Sequence, residues 1–369
     1  MDKDPESYTG SSGLAETRSR GFAKVLGLII LVIFLVSGMI YIFWGKTAWQ
    51  TPLAEPLNLP IPISTNFWIP SGADTPAATY IPVSIPTPIP NNSPLCGDQA
   101  EWIVILAGLD YRQIDQDYLY GLADVIRLIR VDFTKPQVNI VALPRALLVN
   151  IPEDHLLVPG PLLLNQAYFY GARGMGHYTG SGFGAGSLAE TIQYNFGITS
   201  DHYLVVNFQS VIAFIDAIGG IDIDLPTYID DRPTGYFPPG KQHLNGERTL
   251  YLSRIRLKYS DLVRINNQSI IIKAIFQRLK DPLIISRIPA IYSSLKDSII
   301  TDASPHQIET ALCIFLKMDK DDIHFFDPDW DILVDEREYI PTLKLNMEIL
   351  RWDQVFVDWL YDSLWSIRE

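Results

Sequence analysis

Hydrophobic and polar positions divide this chain into three stretches. From Val25 to Trp44 no charged residue interrupts an apolar run, about the length that crosses the hydrocarbon core of a bilayer as a helix. Arg18, Arg20 and Lys24 precede it, and Lys46 alone follows closely. The positive-inside rule therefore predicts a cytoplasmic N-terminus and an exported remainder, a single-pass type II arrangement in the cell membrane. The run exceeds a signal-peptide core, and Ala48 lacks an A-x-A context, so residues 22–44 read as an uncleaved signal anchor. Residues 1–21 are polar with both signs of charge, the pattern of a disordered tail. Across residues 45–98 proline recurs from Pro52 to Pro94. That density excludes helix and central strand and predicts a polyproline-like linker, although its Ile, Leu and Trp68 allow parts of it to pack on the domain.

The third stretch, residues 99–369, alternates short apolar runs with helical periods. Ile103 to Gly108 reads as a buried strand, Asp124 to Val131 and Val138 to Leu143 as two more, and His202 to Val206 as a fourth. Ser187 to Tyr194 predicts a short helix, Phe208 to Ile218 a helix stopped by Gly219-Gly220, and Ile221 to Leu225 an edge-like strand. Glycines crowd Gly171 to Gly186, which predicts a mobile loop able to act as a lid. Pro305 to Leu316 and the amphipathic Trp352 to Trp365 are helical. Strands interleaved with helices imply a sheet covered on both faces.

Charge and cysteine content narrow the function. A formal net charge of −13 opposes sequence-blind nucleic-acid binding, which needs a basic footprint. Cys96 and Cys313 are the two cysteines; without a Cys/His spacing they suggest no zinc site, and outside the cell they can bridge linker to domain.

Against that acidic background, arginines cluster with acids in a few short segments. Leu250, Leu252, Arg254 and Arg256 alternate; on a strand they share one face, with the two guanidiniums roughly 7 Å apart, a spacing that suits a phosphate or diphosphate. Asp261, Arg264 and Gln268 follow at i, i+3 and i+7, one face of a helix. Asp110 and Arg112 lie just past the first strand, Asp124 opens the second, and Arg145 ends the third. Polar residues beyond strand ends gather along one edge of such a sheet. Two carboxylates, Asp110 and Asp124, suit a hard cation such as Mg²⁺, and the arginines around them suit a diphosphate.

The blocks Ile105 to Arg112, Ala123-Asp124, Val141 to Arg145, Leu164 to Tyr168, Gly219-Gly220-Ile221, Leu244-Asn245-Gly246 and Arg254-Ile255-Arg256 occur here in order, followed by Asp261, Arg264 and Gln268. In this the chain resembles the LytR-CpsA-Psr family, over about Trp102 to about Lys280. The resemblance implies a mixed central sheet sandwiched between helical layers, with an apolar channel for a prenyl tail. It implies a phosphotransferase that moves a glycopolymer phosphate from a polyprenyl-pyrophosphate carrier to a peptidoglycan or other wall hydroxyl. Asp110 and Asp124 would hold Mg²⁺. Arg145, Arg254, Arg256, Arg264 and Gln268 would bind the pyrophosphate with Arg112 close by, Asp261 would orient the arginines, and Asp110 is a candidate base. Three positions depart from the family pattern: Leu122 and Asn267 stand where arginines are usual, and Ala146 where an aspartate is. They support an alternative, an exported non-catalytic protein that binds or senses prenyl pyrophosphates or wall polymer.

Overall fold

The computed structural model describes residues 48–60, 93–110, 121–232, 235–255, 261–287, 290, 291, 293 and 299–366. The expected tail and signal anchor, most of the proline-rich stretch, Arg112 and Arg256 lie outside them. Among the described residues, no helix is long and apolar enough to cross a membrane. The chain divides into a unit ending at Thr51, in which residues 48–50 form a helical turn, and a compact unit from Pro52 to Glu369.

Strands β1 (Glu101–Leu109), β2 (Ala123–Asp132) and β3 (Gln137–Ala142) form an antiparallel meander, with Ile105 opposite Leu128 and Ile129 opposite Ile140. Two short strands, β4 (Leu148–Val149) and β5 (Leu162–Leu163), lead into helices α1 (Leu164–Gly171) and α2 (Phe183–Phe196). Next come β6 (His202–Asn207), parallel to β1, and helix α3 (Phe208–Ile218). Asn207 caps α3 by accepting the Ser210 amide at 2.8 Å, and Gly219 ends it with φ +85°, a left-handed geometry that favours glycine.

Strands β7 (Ile221–Leu225), β8 (Ile229–Asp231), β9 (Gly235–Phe237) and β10 (Gly240–Leu244) make two small antiparallel pairs, β7 with β10 and β8 with β9. Helices α4 (Gly246–Arg254) and α5 (Asp261–Leu279) follow. The C-terminal part contributes β11 (Ile299–Thr301), α6 (Pro305–Lys317), β12 (Ile323–Phe326), the hairpin β13 (Val334–Ile340) and β14 (Leu345–Arg351), and α7 (Gln354–Trp365).

The main sheet runs β11-β6-β1-β2-β3-β12 and is mixed. Apolar side chains of β1 and β2 bury one face against α1, α2 and α7 through Leu164, Leu188, Ile192, Phe356 and Leu360. Toward the other face, Ile129 and Val131 of β2 and Ile272 and Phe276 of α5 pack around Val138, Ile140 and Met318. This is the layered mixed sheet expected, because β1, hydrophobic on both faces, has to be covered twice.

Three expectations need correction. Residues 250–254 belong to a helix, not a strand: Asn245 caps α4 by accepting the Arg248 amide at 3.0 Å, and Leu250 and Leu252, both buried, lie on different sides of it. Their alternation over so few residues suited both periods, and the cap signal decides between them. Arg254 therefore ends a helix.

Part of the proline-rich stretch packs on the domain, as its apolar residues allow: Ala54, Leu57 and Leu59 pack on the core and Tyr203 Oη donates to the Glu55 carbonyl at 2.9 Å. Cys96 is disulfide-bonded to Cys313, so the fold begins before residue 99. The glycine-rich segment is partly helical: α1 takes in Gly171, and α2 starts at Phe183. A Cβ on Gly184 would lie 2.8 Å from the Tyr168 carbonyl oxygen, so glycine lets α1 and α2 approach closely. Between them, Tyr178 donates to the buried Glu190 at 2.8 Å and His155 contacts the same carboxylate at 2.6 Å. Burial next to that carboxylate raises the Tyr178 pKa. This segment lines neither cavity described below.

Candidate functional site

Five segments converge on one edge of the sheet. Because β3, β6 and β12 run parallel to β1 and β2 runs against it, the ends of four strands meet the start of the fifth. Asp110 follows β1, Asp124 is the second residue of β2, Arg145 lies just past β3, Phe208 just past β6, and Trp330 shortly after β12.

All five line one open cavity of about 790 Å³, with Arg254, Arg264 and Gln268. The Asp110 amide donates to the Leu122 carbonyl at 3.0 Å, which brings the two acidic segments together. Asp124 faces Arg145 at 2.6 Å and Arg264 at 3.8 Å; Asp110 faces Arg254 at 4.0 Å. Arg254 also lies over the Phe208 ring, 4.8 Å from its centroid, a cation–π contact that fixes the guanidinium at the cavity wall.

Helix α5 carries Arg264 and Gln268 one turn apart, so both reach this cavity, as their spacing predicts. Gln268 Nε2 donates to the Ser253 carbonyl at 3.3 Å, and its Oε1 accepts from Arg127 at 3.3 Å. Arg127 stands three residues after Asp124 on β2 and faces α5, where the same Nη2 reaches the Ile265 carbonyl at 3.1 Å. Burial lowers the Arg127 pKa to about 10, opposed by the charge of Asp327. Burial also raises Asp327, whose Oδ1 accepts from Ser269 at 2.7 Å.

A second cavity, about 320 Å³, opens between the sheet and helices α3 and α5. Leu106, Ile129, Ile271, Ile275 and Phe276 are among its lining. Val125, Phe208, Ser253 and Gln268 line both cavities, so an apolar chamber adjoins the arginine-lined one.

The structure brings together Asp110, Asp124, Arg145, Arg254, Arg264 and Gln268. Asp261 is the first residue of α5; Arg112 and Arg256 lie outside the described residues. Sequence reasoning missed three contributors. Asn165 is buried in the cavity lining, its backbone N–H donates to the Arg145 carbonyl at 3.1 Å, and its Oδ1 meets no hydrogen-bond partner among the described residues. Its signal was the block Leu164 to Tyr168. Trp330 and residues of the hairpin β13–β14 also line the cavity, without any motif to announce them. As for the departures from the family pattern, Leu122 lines the cavity, Asn267 is buried, and Ala146 packs against a cluster containing Ile340 and Ile349 of the hairpin.

Among the described residues no three His, Cys, Asp or Glu gather as a metal cage. Two carboxylates facing one cavity nevertheless fit an ion such as Mg²⁺, which takes most of its ligands from phosphate and water.

A mixed sheet whose edge joins paired acids and arginines to an apolar chamber defines a class of domain, and the sequence agrees with it. The model of the LytR_cpsA_psr family matches residues 89–342, and the chain belongs to that family. It is similar to the polyisoprenyl-teichoic acid–peptidoglycan teichoic acid transferase TagV of Bacillus subtilis, 26% identical over 190 residues that are 49% of this chain and 45% of the relative. It is also similar to the transferase of the same description, TagU, of Enterococcus faecalis, 28% identical over 209 residues, 54% of this chain and 61% of the relative. The chain thus spans about half the length of the curated relatives it matches. The crystal structure of B. subtilis TagV shares the fold with a TM-score of 0.56 at 20% identity, over 73% of this chain and 97% of that one. TagT bound to LI-WTA shares it with a TM-score of 0.52 at 17% identity, over 72% and 90%.

Proposed function

We propose that this protein is a wall glycopolymer phosphotransferase that takes its donor from a polyprenyl diphosphate and passes it to a hydroxyl of peptidoglycan or another wall polymer. The observation that carries this reading is the junction of the two cavities. One wall holds Arg145, Arg254 and Arg264 beside two carboxylates, and Val125, Phe208, Ser253 and Gln268 are shared with an apolar chamber. A prenyl diphosphate has this same division into a charged head and a tail excluded from water.

In the reaction, the acceptor oxygen forms a bond to the phosphorus nearest the glycan, and the bridging P–O bond breaks. Polyprenyl phosphate leaves, and Asp110 is the residue we assign to take the hydroxyl proton. Arg145, Arg254 and Arg264 spread the charge developing on the phosphate oxygens, and Gln268 donates to them from the chamber side. Asp124, held between Arg145 and Arg264, fixes their guanidiniums. Asp110 and Asp124 are the residues that would hold Mg²⁺, whose contribution is to neutralise charge on the diphosphate. Anchoring by residues 22–44 and an exported domain belong to the same reading, and the Cys96–Cys313 disulfide supports an oxidising compartment.

The test is turnover. The detergent-solubilised full chain with Mg²⁺ is expected to release polyprenyl phosphate from a lipid-linked glycan donor. Arg145→Ala and Arg254→Ala should each lower the rate by about 100-fold, the loss of one charge-assisted contact to the transition state. Activity that survives both substitutions would contradict these roles. Binding without product would favour the non-catalytic reading that Leu122, Ala146 and Asn267 support.

A further inference from the structure

The phosphate chemistry occupies the end of the apolar chamber at Gln268, and the other end has a different neighbour. Gln268 is the first residue of α5 that lines the chamber, and Phe276, about two turns further along, is the last. There the Phe276 ring meets Phe315 of α6, with 6.0 Å between centroids. Lys280 lies over the same Phe315 ring, 4.4 Å from its centroid, and donates to the Met318 carbonyl at 2.6 Å. The C-terminal half of α6 is thus fastened to α5 at that end. A chamber of about 320 Å³ is at the small end of ligand pockets, so it holds the first isoprene units of a polyprenyl chain and not the whole of it. The remainder has to stay in an apolar medium.

Helix α6 carries an uncovered apolar stripe beside that end. Ile308, Leu312 and Leu316 stand at i, i+4 and i+8, one face of the helix, and are 45%, 52% and 70% exposed. Thr310 and Ile314, on the other side, are the residues α6 buries. Exposed leucines scattered singly need no explanation, but a row of them along one helix does. Leu312 is one turn from Phe315, so the stripe adjoins the helix edge that meets Phe276. The N-terminal segment reaches the same element. The Leu57 amide donates to Asp302 Oδ2 at 3.4 Å, and Asp302 stands just before Ser304, the cap of α6.

Resting on the transferase reading and the anchor it includes, we propose that the Ile308–Leu312–Leu316 face of α6 docks on the lipid bilayer, from which the polyprenyl tail enters the chamber. Two arguments select the bilayer as the occupant. The part of the tail that the chamber cannot hold needs lipid at the chamber's far end, where α6 lies. From Trp44, the end of the apolar run, to Leu57 the backbone spans at most about 45 Å fully extended, so an anchor at residues 22–44 would keep the start of α6 within reach of the membrane. The contact is apolar: the acid Glu309 flanks the stripe, and the whole chain carries −13, so burial of Ile and Leu drives it and attraction to anionic lipid does not. A helix held in this way lies in the plane of the interface with its apolar face immersed.

The full chain is reconstituted in phosphatidylcholine vesicles. Cys96 and Cys313 are bonded to each other, so a thiol-reactive fluorophore labels an introduced cysteine. Leu312→Cys and Leu316→Cys place it on the stripe, and Tyr194→Cys, exposed on α2 across the sheet, is the reference. Nitroxide-labelled lipid is expected to quench both stripe positions about threefold more than the reference, with or without added phosphatidylglycerol. Equal quenching at all three positions overturns the proposal. So does self-quenching that follows protein density and ignores nitroxide lipid, which would mean that a second copy covers the stripe. Leu312→Asp with Leu316→Asp should raise the KM for a long-chain lipid-linked donor in vesicles about tenfold, while a short geranyl-linked donor in solution keeps its KM and kcat. Stripe quenching in a protein that turns over neither donor supports the docking face and contradicts the transferase reading. Turnover of both donors without stripe quenching refutes the docking face and leaves the transferase reading standing.

Discussion

Arg127 illustrates how one residue acts through another. Three positions after Asp124 it faces α5, so it cannot take the place of the cavity arginine missing at Leu122. It holds Gln268 Oε1 instead, which leaves the Gln268 amide nitrogen for the Ser253 carbonyl and the cavity edge. Arg127→Ala would leave the buried Asp327 facing less positive charge. The expected cost is about 3–5 kcal/mol, the range for breaking a buried charge pair, read as a lower urea midpoint with unchanged slope. The amide of Gln268 also loses its orienting contact, so diphosphate affinity falls; Arg127→Lys, which keeps the charge, should recover stability more fully than affinity. At this scale six of the nine residues singled out from the sequence line one cavity, Asp261 is not among its lining, and Arg112 and Arg256 lie outside the described residues. Asp110, Asp124, Arg145, Arg254, Arg264 and Gln268 all reach the cavity, because residue type and family order single them out whatever secondary structure carries them. Asn165 and Trp330 escaped notice because an asparagine and a tryptophan acquire their roles from burial and exposure, which composition does not encode.

Elements were legible where period and punctuation agreed. Asn207 and Gly219 bracket α3, and Ser304, which accepts the Gln307 amide at 3.3 Å, starts α6; both helices were read to within a residue or two. Where two periods fit, the reading failed, as in α4, whose Asn245 cap outweighs the Leu250–Leu252 alternation. Glycine density was likewise ambiguous: it suggested a lid between Gly171 and Gly186, whereas part of it serves the α1–α2 contact. Gly184→Ala should therefore destabilise the protein by about 1–3 kcal/mol through overpacking against Tyr168. A denaturant titration checks this; an unchanged midpoint would mean that the helices can separate without cost.

For the whole molecule, the sequence indicated a layered α/β domain, but it left the pairing of Cys96 with Cys313 open and did not show where the domain begins. Packing of Ala54, Leu57 and Leu59 on the core extends the unit back to Pro52. Apolar residues of the stretch hinted at such packing, but which of them dock depends on the surface they meet, which no local pattern reports. The Cys96–Cys313 bridge closes a separation of 217 residues, so the paired Cys96→Ala and Cys313→Ala substitutions should cost about 3–5 kcal/mol, the chain-entropy range for a long loop. Equal urea midpoints for the oxidised protein and the variant would show that the bridge constrains nothing. The molecule's central feature is the meeting, at Gln268, of a cavity lined by arginines and carboxylates with an oily one. Calorimetric titration of the full chain with geranylgeranyl diphosphate tests it most directly. Saturable binding that weakens by about 10-fold or more in both Arg145→Ala and Arg264→Ala is predicted, whereas equal affinity in the wild type and both variants would contradict the account.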